Sequence, residues 1–179
     1  MKKPLIIALL LFSLTQVGSS CKKLRELTRF KLTNTSYATV PGGGIVNLPI
    51  QIFTPDIETN SAQEFETNQT EANLVRSAFL EKLTLTIYDP NEANFDFLRS
   101  LEVFISAENQ EEKSIAVITD IPQTGLQSLS MTTNSAVDLK EYVKGDSYSL
   151  RIQATTRAVP SSDVTVRLNS VFDIEAKIF

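Results

Sequence analysis

The stretch YSLRIQATTRAVPSSDVTVRLNSVFDIEAKI, residues 148–178, decides the fold. Tyr148, Leu150, Ile152 and Ala154 alternate with Ser149, Arg151 and Gln153. Val164, Val166, Leu168, Ser170, Phe172, Ile174, Ala176 and Ile178 then form a second row with mostly polar residues between them. A period of two marks a strand that buries one face. Val159-Pro160-Ser161-Ser162 turns the chain between the rows, so the spacing predicts a long two-stranded hairpin whose second strand crosses most of the core.

The same period recurs towards the N-terminus. Phe30 and Leu32 alternate with Arg29, Lys31 and Thr33; Val46, Leu48, Ile50 and Ile52 with Asn47, Pro49 and Gln51; and Leu83, Leu85 and Ile87 with Thr84, Thr86 and Tyr88. Pro49 cannot donate to a ladder, which places its strand at a sheet edge. Leu101, Val103 and Ile105 make a further strand that the polar run Glu108 to Lys113 joins to Ile115–Ile118 as a hairpin. Pro122 to Gly125 turns the chain before a weaker strand over Leu126–Thr133, and Leu139, Tyr142 and Val143 suggest one helical turn ending at Gly145. About eight short strands, few helices and no repeat predict a mainly β protein, a single antiparallel β-sandwich over residues 28–179 with one or two short helices. An alternating run ending in Phe179 is similar to the closing strand of outer-membrane barrels, but its register puts Lys177, Glu175 and Asp173 on the same face, which lipid disfavours. Those charges would also oppose edge pairing with a second copy.

The segments between strands carry the candidate sites. Thr54 to Thr70 is irregular and acidic, and no lysine or arginine falls between Lys31 and Arg76. So long and irregular a connection reads first as a mobile solvated loop and second as a binding loop, whose candidate residues are Asp56, Glu58, Glu64, Phe65 and Glu66, with Ile57 and Phe65 the apolar residues able to dock it. Leu74, Val75, Ala78 and Phe79 recur at helical spacing and predict a short helix from Glu71 to Leu80. Asp89, Asn91, Asn94 and Asp96 gather oxygen ligands, yet the loop lacks the glycine and glutamate of a calcium-binding EF-hand and its Asn and Asp residues also suit turns. The run Pro41-Gly42-Gly43-Gly44 has no following Gly-Lys-Ser/Thr and is a connection, not a phosphate cradle.

Composition narrows the chemistry. The chain has one cysteine and no histidine or tryptophan, which excludes a Ser-His-Asp triad, a Cys-His pair and the usual zinc sites. No cofactor motif is present. Lys22, Lys23, Arg25, Arg29 and Lys31 crowd the residues after Cys21, whereas residues 32–179 hold ten basic and twenty acidic residues. An acidic body repels phosphate backbones, so nucleic acid is not an expected partner.

Residues 1–20 have the layout of a secretory signal: Lys2 and Lys3, an apolar run from Leu5 to Leu14, then small or polar residues. That run is too short to span a bilayer, which takes about 20 apolar residues. Val17-Gly18-Ser19-Ser20-Cys21 resembles the lipobox of bacterial lipoproteins, in its looser Bacteroidetes-type form. The resemblance implies removal of residues 1–20, a diacylglyceryl thioether on Cys21 and a basic tether over residues 21–27. It also implies a place in the bacterial cell envelope, lipid-anchored on the outer membrane and facing the periplasm. The chain as a whole resembles small envelope lipoproteins of that type.

These readings lead to an expected function. The first is a non-catalytic, lipid-anchored binding or assembly module, with the membrane as partner through Cys21 and an envelope protein as a possible second. A carrier of lipid or another hydrophobic ligand is the alternative, and a carboxylate-based hydrolase ranks behind both. The two candidate loops could form one site only if they lie at the same end of the sandwich.

Overall fold

The computed structural model describes residues 29–43 and 49–177. The expected leader, Cys21 and its tether lie outside the described residues, as do Gly44, Val46, Leu48, Ile178 and Phe179. The strands are β1 (Arg29–Val40), β2 (Pro49–Phe53), β3 (Ile57–Glu58), β4 (Val75–Asp89), β5 (Leu98–Ala107), β6 (Gln110–Ile118), β7 (Ser128–Ser130), β8 (Thr132–Thr133), β9 (Ser147–Thr156) and β10 (Val164–Ala176). Two short helices, α1 (Ser61–Thr67) and α2 (Lys140–Val143), complete them.

The protein is a mainly β, antiparallel sandwich. One sheet has the order β1-β10-β4-β7 and the other β2-β9-β5-β6-β8, with β3 also paired to β9. Alternation sets the layers: β9 and β10 bury every second residue from end to end, and those inward rows meet as one core with Leu32, Leu85, Val103 and Ile105. β2 is an edge strand, as Pro49 requires. The hairpin of β5 and β6 forms as expected, from Leu101↔Ile118 to Ala107↔Gln110.

Three details correct the expectations. First, β9 and β10 are not a hairpin: β9 pairs with β2 and β5, and β10 with β1 and β4. The connection after β9 passes between sheets and is pinned there, Arg157 Nη1 donating to the carbonyls of Leu98 and Ile121 at 2.6 Å each. Gly42 packs against its other side, where a Cβ would lie 2.7 Å from the Ser162 carbonyl carbon.

Second, the helix expected over Glu71–Leu80 is a 3₁₀ turn at Ala72–Leu74 followed by the start of β4. Arg76, Glu81 and Tyr88 each have no counterpart on β10, because the register skips at these points. A bulge inserts one residue and shifts the alternation. The buried residues of β4 therefore fall at Val75, Ala78, Leu80, Leu83 and Leu85, and the first gap of three imitates a helix.

Third, Asp173 and Glu175 guard no edge, since β10 is a central strand. They accept cross-strand charges instead: Asp173 pairs with Arg29 at 3.2 Å and Lys31 at 3.3 Å, and Glu175 with Arg76 at 3.4 Å. Lys31 also pairs with Glu81. Arg29 and Lys31 thus belong to the sheet and not to a free basic collar.

Candidate functional site

The segment from Thr54 to Thr70 is a folded element. Ile57 and Phe65 are buried and anchor it, which corrects the expectation of a mobile solvated loop. Phe65 packs edge-to-face on Phe30, ring centroids 6.0 Å apart. Asn34 Nδ2 donates to the carbonyls of Glu58 and Thr59, both at 3.2 Å, and Thr59 Oγ1 donates to the Gly145 carbonyl at 2.7 Å. α1 has no side-chain cap at its start, where Asn60 is left-handed at φ 49°. Packing of Phe65 therefore replaces the capping that usually holds so short a helix.

Of the candidate binding residues, Phe65 is a core residue and offers no surface, Asp56, Glu58 and Glu66 are exposed, and Glu64 is half-buried. Beside them runs a shallow valley of three adjoining recesses. One lies between Ala62, Glu66 and Glu71. The next, about 450 Å³, is lined by Asp56, Glu58, Asn60 and Asp146, and shares Ala62 with the first. A third continues past Asp56 and Ser147 to Glu108. Among the described residues no lysine or arginine lines any of the three. The valley offers carboxylates and hydroxyls, which suit ammonium and guanidinium groups. Glu108 and Asp146 escaped the sequence reading because each sits in a separate turn with no local motif; pairing of Glu58 with Ser147 brings Asp146 to the segment, and pairing of Ser106 with Ser149 brings the Glu108 turn beside it. Glu71 simply follows the segment in the chain.

Below this surface the core is polar. Asn34 and Ser170 are direct register partners, and the Asn34 Oδ1, Ser36 Oγ, Ser170 Oγ and Tyr148 hydroxyl atoms are buried without a hydrogen-bond partner among the described residues. Burial pushes the Tyr148 phenol well above its ordinary range. Because the folded-state value lies above the unfolded one, its contribution is fully present below about pH 10 and is lost as pH rises beyond that. We predict that the alkaline fall in stability between about pH 9.5 and 11.5 becomes shallower in Tyr148→Phe. Near neutrality that variant should be unchanged or slightly more stable, since it removes an unsatisfied hydroxyl. Urea midpoints across this range check both statements; an alkaline limb of unchanged slope would contradict them.

The Asp89–Asp96 loop lies elsewhere. Asp89 pairs with Thr165, which also faces Thr39 near the end of β1, whereas the acidic segment packs against Phe30 and Asn34 near its start. At about 3.3 Å per residue this separation is on the order of 20–30 Å along the sheet. The two candidate loops do not form one site. Asn94 Oδ1 accepts from the Asp96 amide at 3.0 Å and Asp96 Oδ1 from the Gly125 amide at 2.9 Å, so these oxygens organise the turn. Asp89 and Asn91 are exposed beside it. Among the described residues no group of three or more acidic, cysteine or histidine side chains converges as a metal site.

No family model matches this sequence, and no curated protein matches it. Solved structures that resemble it include the decameric BFDV capsid protein, at 8% identity and TM-score 0.42 over 84% of this chain and 98% of that one. The structure titled FLHE has 10% identity and TM-score 0.36 over 83% and 98%. The C-terminal domain of a chitobiase from Bacteroides fragilis has 12% identity and TM-score 0.34 over 76% and 69%. At these values the likenesses carry no functional argument.

Proposed function

We propose that the protein is a non-catalytic, lipid-anchored binding module of the bacterial cell envelope, and that its acidic valley receives a basic segment of an envelope protein. The observation that carries this reading is the docked state of the acidic segment. Phe65, Asn34 and Thr59 fix it to the core, so its carboxylates are presented on a shaped surface whose ordering cost is met during folding. A solvated acidic loop would have no need of those contacts.

The signal-like leader and the lipobox resemblance support the anchor. From Cys21 to Arg29 is eight residues, which span at most about 27 Å when extended. Since β1 begins beside the valley, lipid on Cys21 would hold the valley within that reach of the bilayer. Lys22, Lys23 and Arg25 would face anionic head groups, each contributing about 1 kcal/mol near the surface.

The test is affinity capture from detergent-solubilised membranes with the full-length protein and a variant carrying Asp56→Asn, Glu58→Gln and Asp146→Asn. These residues are exposed, so the variant should fold. Exposed charges contribute modestly one by one, about 0.2–1 kcal/mol, and the three together should reduce partner recovery about tenfold. Raising salt to about 0.5 M should act in the same direction. Equal recovery of the same partners by both proteins would overturn the assignment of the valley.

A further inference from the structure

The surface tyrosines supply a second site at the opposite end. Tyr37 and Tyr88 are 43% and 54% exposed, whereas Tyr142 and Tyr148 are buried. Tyr37 lies on β1 and Tyr88 on β4, the strands on either side of β10. Strands two apart in a sheet are separated by roughly 9.5 Å, yet the two ring centroids are 5.0 Å apart at an interplanar angle of 66°. The rings must therefore lean towards each other over β10. Tyr88 is the residue that the register skips between Ile87 and Asp89, and a bulge of this kind re-aims a side chain.

On β10, between the two strands that carry the rings, Arg167 registers with Tyr37 on one side and Thr86 on the other. Its Nε is buried and has no partner among the described residues, and the same holds for Thr84 Oγ1 on the neighbouring strand. Around this centre the side chains are neutral hydrogen-bonding groups already ordered by one another. Thr35 donates to Asn169 at 2.9 Å, the Thr39 and Thr165 hydroxyls are 3.3 Å apart, and those of Thr86 and Ser128 are 3.4 Å apart. Asp89 closes the patch at the strand end.

We propose that Tyr37, Tyr88 and Arg167 form a binding platform for a neutral saccharide. A sugar ring carries both chemistries found here: a face of C–H bonds, weakly positive, that packs on the negative face of an aromatic ring, and a rim of hydroxyls that pair with guanidinium, hydroxyl and amide groups. The other classes of occupant fit less well. An acyl chain calls for contiguous apolar surface, and here two rings stand in a field of threonines. A nucleic acid would need more than one cation in an otherwise acidic body. The platform does not depend on the acidic valley.

The experiment is affinity electrophoresis of the full chain through gels containing a soluble β-glucan, xylan, mannan or α-glucan. Calorimetry with oligosaccharides of any retarding polymer follows. The wild-type protein should be retarded by at least one of the four, and Tyr88→Ala should weaken its oligosaccharide binding about tenfold. Tyr88→Phe should retain most of the binding, since the ring remains. Tyr37→Ala with Tyr88→Ala should abolish retardation while the thermal midpoint stays within a few degrees of wild type. If that double variant does not fold, Tyr88→Ala alone makes the same comparison, because Tyr88 is exposed and has no partner on β10. Free migration of the wild type in all four gels, or retardation unchanged by Tyr88→Ala, would overturn the proposal.

Discussion

Phe65→Ala destabilises the protein by about 3–5 kcal/mol and disorders the acidic valley with it. The first part follows from burial: Phe65 is 2% exposed, and removing a buried phenylalanine loses its transfer free energy and leaves a cavity. The second follows from how α1 is held. It spans seven residues with no side-chain cap, too short to persist on propensity alone. Its ring contact with Phe30 is the tie between the helix and the sheet, and the Thr70 amide returns to the Phe65 carbonyl at 2.8 Å. Denaturant melts should show the loss. Hydrogen exchange should show residues 58–71 losing protection beyond the global change. Uniform loss across the molecule would mean that Phe65 supports the core but not the valley. The coupling also dictates how to probe the site: neutralising Asp56, Glu58 and Asp146 leaves Phe65 in place, whereas excising the segment would remove a core residue and confuse binding with folding.

The second large effect concerns the crossing of the two sheets. Phe172→Ala should cost about 3–5 kcal/mol, since this residue is fully buried on the central strand β10. Its ring meets that of Tyr148 edge-to-face at 5.8 Å. Such aromatic pairs are worth about 0.5–1.5 kcal/mol beyond their area. A double-mutant cycle of Phe172→Ala with Tyr148→Leu should return a coupling of about that size. Additivity within about 0.3 kcal/mol would contradict face-to-face placement of β9 and β10 across the core.

The sandwich was legible because its strands state their buried faces openly. β1, β9 and β10 alternate without a break, and Pro49 marked an edge correctly. Alternation names the buried face but not the neighbour, however. The connection Arg157–Asp163 is long enough either to return beside its own strand or to cross the roughly 10 Å between sheets. What decides is its anchoring: Arg157 on Leu98 and Ile121, and Asp163 Oδ1 accepting from the Gly42 amide at 2.9 Å. Those are distant pairings that no local pattern encodes. The bulges at Arg76 and Glu81 hid the start of β4 by a related route, since an extra residue breaks the period by which a strand is read.

The candidate site was legible in part. Ile57 and Phe65 stood out as the apolar residues of an acidic segment, and both dock, so the segment is folded where a mobile solvated loop was the first expectation. α1 was not visible, because Phe65 is its only large apolar side chain and no helical stripe can form from one residue. The valley's other walls, from the turns at Glu108 and Asp146, and the meeting of Tyr37 with Tyr88 depend on sheet order alone. That order also separates the two candidate loops. The acidic valley takes the end where β1 begins, and the Asp89–Asp96 turn shares the other with the tyrosine pair.

Placing a photo-crosslinking amino acid at Ala62, and separately at Glu92, in the full-length protein within living cells shows whether the acidic valley receives a protein. Ala62 is exposed and lines two of the three recesses, while Glu92 is exposed in the Asp89–Asp96 loop. A protein crosslinked from Ala62 and not from Glu92, and lost when Asp56, Glu58 and Asp146 are neutralised, is the predicted result. Protein crosslinks from Glu92 alone, or crosslinks from Ala62 that survive neutralisation of those carboxylates, would contradict it.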